Sequence, residues 1–232
     1  MASMNSAYFQ QLEKVFAAER LDAYRQDGAD EITTLSRYLL NMALCEALYS
    51  PLQFTEIALR NGSHEQLSQR YQAADWYDVM PGRALANWQT RQLLKAKDGL
   101  VEYGKPITPG GMVAELTFGF WTGFFNNFHA RSGVGHYLAG TAFPHAPVSE
   151  RSLSKLDAKW RKVRTLRNRV FHHERIIHWR DLDQQHASLI ELCGWISPEL
   201  EQMAKALDRF SDLRNNGLSP WLEKIRIHWS KS

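Results

Sequence analysis

The chain reads as all-α. Apolar residues recur at three- and four-residue spacing from end to end, and no stretch alternates apolar with polar between hairpin turns. The breaks in the pattern fall at Asp-Gly, Ser-Pro, Thr-Pro and Pro-Gly pairs, which stop and restart helices.

Taken in order, Tyr8 to Tyr24 predicts a first helix closed by the Asp27-Gly28 turn. Asp30 caps a second, whose apolar positions Ile32, Leu35, Leu39 and Met42 have the spacing of a buried stripe running on to Tyr49. Ser50-Pro51 restarts the chain, because serine suits the N-cap and proline the first helical position, and a third helix follows to about Tyr71. Pro81-Gly82 opens a helix reaching Lys97, and Thr108-Pro109 opens one that carries Glu115 to Trp121. Residues 131–148 hold three glycines and two prolines and predict an irregular, glycine-rich connection. Gly133-Val-Gly135-His-Tyr-Leu138 is no dinucleotide fingerprint, since Leu138 takes the third glycine position and no strand precedes it. Ser149 caps a long helix, and Asp181 to Ile196, Pro198 to Leu213 and Pro220 to Trp229 complete the set. No linker or repeat divides residues 1–232, so a single helical domain is expected.

With 232 residues, 44% hydrophobic and 12% aromatic, the chain can bury a sizeable core. Cys45 and Cys193 lie among apolar residues and form no Cys-x-x-Cys pair, which predicts reduced thiols in a cytoplasmic protein. No signal-peptide pattern is present, and the aromatic run Phe118 to Phe125 is far shorter than the roughly 20 apolar residues of a spanning helix, so no membrane partner is expected. Net charge is only +3. Its distribution is uneven: Arg151 to Arg175 holds nine Lys or Arg against two acids, a local +7 that leaves −4 on the remainder. Such a segment can attract phosphate.

Within it, Arg167-Asn-Arg-Val-Phe-His172-His173-Glu174 is where reactive side chains and helical spacing coincide. On a wheel of residues 150–178, Leu153, Leu156, Trp160, Val163, Leu166 and Val170 form the core stripe. Arg161, Arg164, Asn168, His172 and Arg175 share a polar sector, with Arg167 on its border. An imidazole one turn from an amide, among guanidiniums that fork onto phosphate, suits RNA scission. RNA brings its own nucleophile in the 2′-hydroxyl, so the protein need only move protons and neutralise charge. His173-Glu174-Arg-Ile-Ile177 fails the His-Glu-x-x-His zinc pattern, because Ile177 stands where the second ligand must be, and neither metal nor other cofactor is expected. With one histidine per chain in that sector, the acid or the base is left unfilled, and a homodimer would supply it. The aromatic cluster Phe118, Phe120, Trp121, Phe124, Phe125 and Phe128 has core spacing, and His129, His136 and His145 read as surface or loop histidines.

Arg167-Asn168-x-x-x-His172 resembles the Arg-x(4–6)-His signature of HEPN ribonucleases, and the longer string resembles their Abi-like, abortive-infection branch. Three further segments are similar to that family: Phe54-Thr-Glu-Ile-Ala-Leu-Arg-Asn61, Asp75-Trp76-Tyr77 and Val113 to Trp121. The resemblance covers about residues 30–178; Phe171 departs from it, standing where a small residue is expected. It implies a HEPN-like helical bundle with additional helices, and a metal-independent endoribonuclease acting as a toxin or in phage defence, held in check by a protein or RNA antitoxin. Arg167, Asn168 and His172 carry over as catalytic residues and His173 and Glu174 as their supporting neighbours. Glu56 and Arg60, four apart, can pair on one helix face and buttress the catalytic helix, while Arg161, Arg164 and Arg175 would bind RNA. A catalytically silent RNA-binding or regulatory interaction module is the alternative.

Overall fold

The computed structural model describes residues 6–82 and 84–229, and among these the chain is all-helical, without strands. The helices are α1 (Ser6–Phe16), α2 (Ala18–Asp22), α3 (Glu31–Tyr71), α4 (Trp76–Val79), α5 (Asn87–Glu102), α6 (Pro109–Glu115), α7 (Phe118–Thr122), α8 (Asn127–Ser132), α9 (Val134–Thr141), α10 (Leu153–Phe171), α11 (Leu182–Ile196), α12 (Pro198–Ala206), α13 (Phe210–Asn216) and α14 (Ser219–Trp229). No described helix is long and apolar enough to cross a membrane. Two compact units are formed: the first from residues up to Ser50, Asn168–His186 and residues from Leu207, the second from Pro51–Arg167 and Ala187–Ala206.

The first unit buries Phe9, Leu21, Tyr24, Leu35, Tyr38 and Ile225 in one cluster, each side chain contributing about 1.5–3 kcal/mol of transfer free energy. Tyr24 and Tyr38 meet edge to face at 5.3 Å. This core explains why the expected Tyr8–Tyr24 helix is two helices. Twelve residues of unbroken helix would turn Leu21 about 120° away from Phe9, and the break at Ala17, with φ 68, lets both enter the same core. Asp27 and Gly28, both at positive φ, close the element as expected. Asp30 then caps α3, its Oδ1 accepting the Thr33 N–H at 2.8 Å, and those hydrogen bonds hold its carboxyl below the usual range.

Ser50-Pro51 does not restart a helix. Pro51 lies inside α3, where a missing N–H and ring crowding cost about 3 kcal/mol. Burial of Leu44, Leu48, Leu52 and Leu59 along the same helix offsets that cost, so core packing overrides the local signal.

The second unit is built on aromatic rings. Trp76 stacks obliquely or edge-on with Phe120, Trp121 and Phe124 at 6.1–6.4 Å, and Phe125, Phe143 and Trp160 continue the cluster. Of the six aromatics between Phe118 and Phe128, only Phe128 is exposed. Helix α5 starts at Asn87 and not at Pro81, because Gln89 Oε1 accepts the Ala86 N–H at 3.3 Å and caps it there, and it runs through Gly99. The helix expected from Thr108 through Trp121 is two: Thr108 Oγ1 accepts from Gly111 at the start of α6, and Thr117 Oγ1 accepts from Phe120 at the start of α7.

Much of the segment expected to be irregular is helical, covering the end of α8 and all of α9. Gly135 serves close packing: a Cβ there would lie 2.6 Å from the Phe124 carbonyl oxygen. His129 is likewise no surface histidine. It is fully buried on α8, with Nε2 donating to Gln89 Oε1 at 2.6 Å, and burial lowers its pKa to about 4. Toward the C-terminus α11 and α14 match expectation, whereas Pro198–Leu213 breaks after Ala206, and Asp208 Oδ1 accepts the Phe210 N–H where α13 begins.

Candidate functional site

Helix α10 carries its stripe as the wheel predicts: Leu153, Leu156, Trp160, Val163, Leu166 and Val170 are all buried. Its ends differ from expectation. Val148–Glu150 form a 3-10 turn, so Ser152 and not Ser149 precedes the helix, its carbonyl accepting from Leu156. At the other end the helix stops at Phe171 and does not run through the octet.

The stop is a Schellman cap. His172 still donates its N–H to the Asn168 carbonyl at 2.9 Å, His173 takes φ 57, and the His173 and Glu174 N–H groups return to the Val170 and Arg169 carbonyls. Glycine normally fills the left-handed position, and a histidine there costs on the order of 1–2 kcal/mol. Local contacts hold it. The Arg20 guanidinium donates to the His173 carbonyl, and Arg169 pairs with Glu174. Asn41, 3% exposed, donates to the Glu174 carbonyl at 3.2 Å while its Oδ1 accepts the Ile176 and Ile177 N–H groups at 2.8 and 3.1 Å. Neither Asn41 nor Arg20 stood out in the sequence. The available signal was an amide at a core position among Tyr38, Leu40 and Leu44.

This end presents Asn168 and His172 one turn apart, both exposed. Phe171 stacks on Tyr49 at 5.1 Å, which accommodates a large ring where the family resemblance implies a small residue. A groove of about 600 Å³ beside the cap is lined by Val15, Phe16, Met42, Tyr49, Phe171 and His173. Met42, expected in the buried stripe of α3, is 51% exposed on this groove.

In the second unit, Arg167 Nε donates to Glu56 Oε2 at 3.2 Å from a half-buried position. Glu56 therefore reaches α10 directly, whereas the intrahelical pairing expected with Arg60 is not formed; the Arg60 Nε is buried without a hydrogen-bond partner. Arg164 donates to Thr122 Oγ1 at 3.4 Å and Arg161 pairs with Asp157 at 3.1 Å, both around a cavity of about 220 Å³ that also meets Trp88 and Asn126. Arg175 lies beyond the end of α10, so the wheel that grouped it with Arg161 and Arg164 does not apply; its guanidinium donates to the Ala23 carbonyl and faces the Tyr24 ring. Among the described residues no three His, Cys, Asp or Glu side chains are grouped to hold a metal ion.

No known protein family, curated protein or solved structure matches the chain.

Proposed function

We propose that the chain is a metal-independent endoribonuclease of the HEPN type, a cytoplasmic toxin or abortive-infection effector that cleaves single-stranded RNA and is restrained by a protein or RNA antitoxin. The observation that carries the reading is the exposed pair of Asn168 and His172, one turn apart at a rigidly capped helix end, in the sequence frame Arg167-Asn168-x-x-x-His172. A capped end holds an imidazole in place while exposure lets a strand reach it.

In this reaction the 2′-oxygen attacks the adjacent phosphorus, the bond from phosphorus to the 5′-oxygen breaks, and the products are a 2′,3′-cyclic phosphate and a 5′-hydroxyl. His172 takes the 2′-proton or protonates the leaving oxygen, Asn168 hydrogen-bonds the phosphoryl group, and Arg167 neutralises charge as it develops on the phosphate. Glu56 positions Arg167 through Nε. His173 and Glu174 shape the cap, and Arg161 and Arg164 contact the strand. A second histidine comes from a second copy, and the apolar groove beside the cap, with Met42 and Tyr49 about half exposed, gives that copy a surface to cover.

The test is cleavage of single-stranded RNA in excess EDTA, with the product ends identified. A substrate carrying 2′-deoxy at the cleaved nucleotide should resist. Cleavage of that substrate, or a strict Mg²⁺ requirement, would overturn the mechanism.

A further inference from the structure

The second unit holds a larger cavity, about 1090 Å³, just above the roughly 300–1,000 Å³ that ligand sites usually occupy. Two guanidiniums line it, Arg70 and Arg131, and no carboxylate stands among its described lining residues. Phe128 contributes an aromatic face that is 44% exposed, in contrast to its five buried neighbours in the aromatic cluster. Arg70 is preset: its Nη1 donates to the Gly133 carbonyl at 3.2 Å and its Cζ lies 4.7 Å from the Tyr137 ring centre and 5.9 Å from that of Tyr71. Gly133, at φ 71, makes the left-handed turn between α8 and α9 that presents this carbonyl.

A fixed guanidinium, a second one nearby and an uncovered ring select a ligand that joins phosphate to a flat base. Guanidinium forks onto phosphate oxygens with two hydrogen bonds, and a base stacks on an aromatic or guanidinium face. We propose that this cavity binds a nucleoside phosphate, with Arg70 and Arg131 on the phosphate and Phe128 against the base. It is a site separate from the end of α10 and does not depend on the ribonuclease reading.

The ligand is either a free nucleotide or one nucleotide of a strand, and two probes separate these sources. Full-length protein is titrated with adenosine 5′-monophosphate by calorimetry and with a fluorescein-labelled 2′-O-methyl oligoribonucleotide, which cannot be cleaved, by anisotropy. Arg131→Glu and Phe128→Ala, both at exposed positions, should each weaken the bound probe at least about tenfold. Lys95→Glu, the same charge change at an exposed position on α5, should leave affinity within about twofold and so exclude a merely general charge effect. Tighter binding of the monophosphate identifies a free-nucleotide site, and tighter binding of the oligonucleotide identifies a strand seat. If neither probe binds the wild type, or if Arg131→Glu and Phe128→Ala bind as the wild type does, the assignment is wrong.

Discussion

Asn41 Oδ1 accepts the Ile176 backbone N–H at 2.8 Å, a bond that ties the N-terminal third of α3 to the segment directly after the His172 cap. With its further bonds to Ile177 and Glu174, one buried amide satisfies three backbone groups that no helix or strand serves. Asn41→Leu should therefore cost about 2–4 kcal/mol in urea unfolding, since buried N–H and C=O groups left without partners bear their full desolvation cost. Asn41→Asp keeps both acceptor bonds and should lose less than Asn41→Leu; an equal loss would assign the effect to shape and not to hydrogen bonding.

His173 offers the opposite outcome. His173→Gly relieves the left-handed strain and should stabilise the protein by about 1 kcal/mol, read as an upward shift in the urea midpoint. RNA cleavage should be retained, because His173 acts on the cap and not on the scissile phosphate. A rate loss as large as that of His172→Ala would move the catalytic role to His173.

His172→Ala should lower the single-turnover cleavage rate by at least about 10²-fold while RNA affinity stays near that of the wild type. Glu56→Gln weakens the charge-assisted hold on Arg167 and should reduce the rate at saturating RNA by roughly tenfold, with KM little changed. Arg164→Ala should instead raise Kd and flatten its salt dependence. Equal cleavage by His172→Ala and wild type would exclude the proposed centre.

Burial holds the pKa of His129 near 4 against an ordinary 6.5, so the folded protein keeps this ring neutral. The unfolded chain binds its proton first as pH falls. The group therefore contributes stability above about pH 6.5, loses it progressively as pH drops toward 4, and changes nothing further below that. The full effect is roughly 3 kcal/mol. Urea midpoints measured between pH 7 and pH 4.5 should fall more steeply for the wild type than for His129→Gln; parallel slopes would show that the ring is not the source.

Activity should depend on a second copy. Specific activity should fall on dilution below the dimer dissociation constant measured by sedimentation, and Met42→Glu, which places a charge on the groove beside the cap, should shift that constant upward. Full activity in a demonstrably monomeric sample would refute the shared arrangement.

Those features that depend on neighbours in the chain were legible in the sequence: the α10 stripe from Leu153 to Val170, the Asp30 cap and the Thr108 cap. Each is fixed by side chains within one or two turns. What was not legible depends on partners far along the chain. Pro51 reads as a helix start because its missing N–H is harmless there, and only burial on either side lets the helix continue through it. Gly135 reads as loop because a glycine wanted for close approach to Phe124 looks the same as one wanted for a turn. The site divides along the same line. Asn168 and His172 were placed one turn apart by spacing alone, whereas Glu56 on Arg167, Arg20 on His173 and Asn41 behind the cap bridge 111 to 153 positions.

That long reach has a consequence for synthesis. Asn41 cannot close on the Glu174 carbonyl until another 133 residues have been made, and the core around Phe9 and Tyr24 lacks Ile225 until later still. At about 5–20 residues per second, a ribosome takes roughly 7–27 s over the stretch from Asn41 to Glu174. The left-handed cap behind His172 is therefore assembled well after α3 has been made, and a truncated product ending before Ile176 carries the catalytic letters without the clamp that gives them a fixed shape.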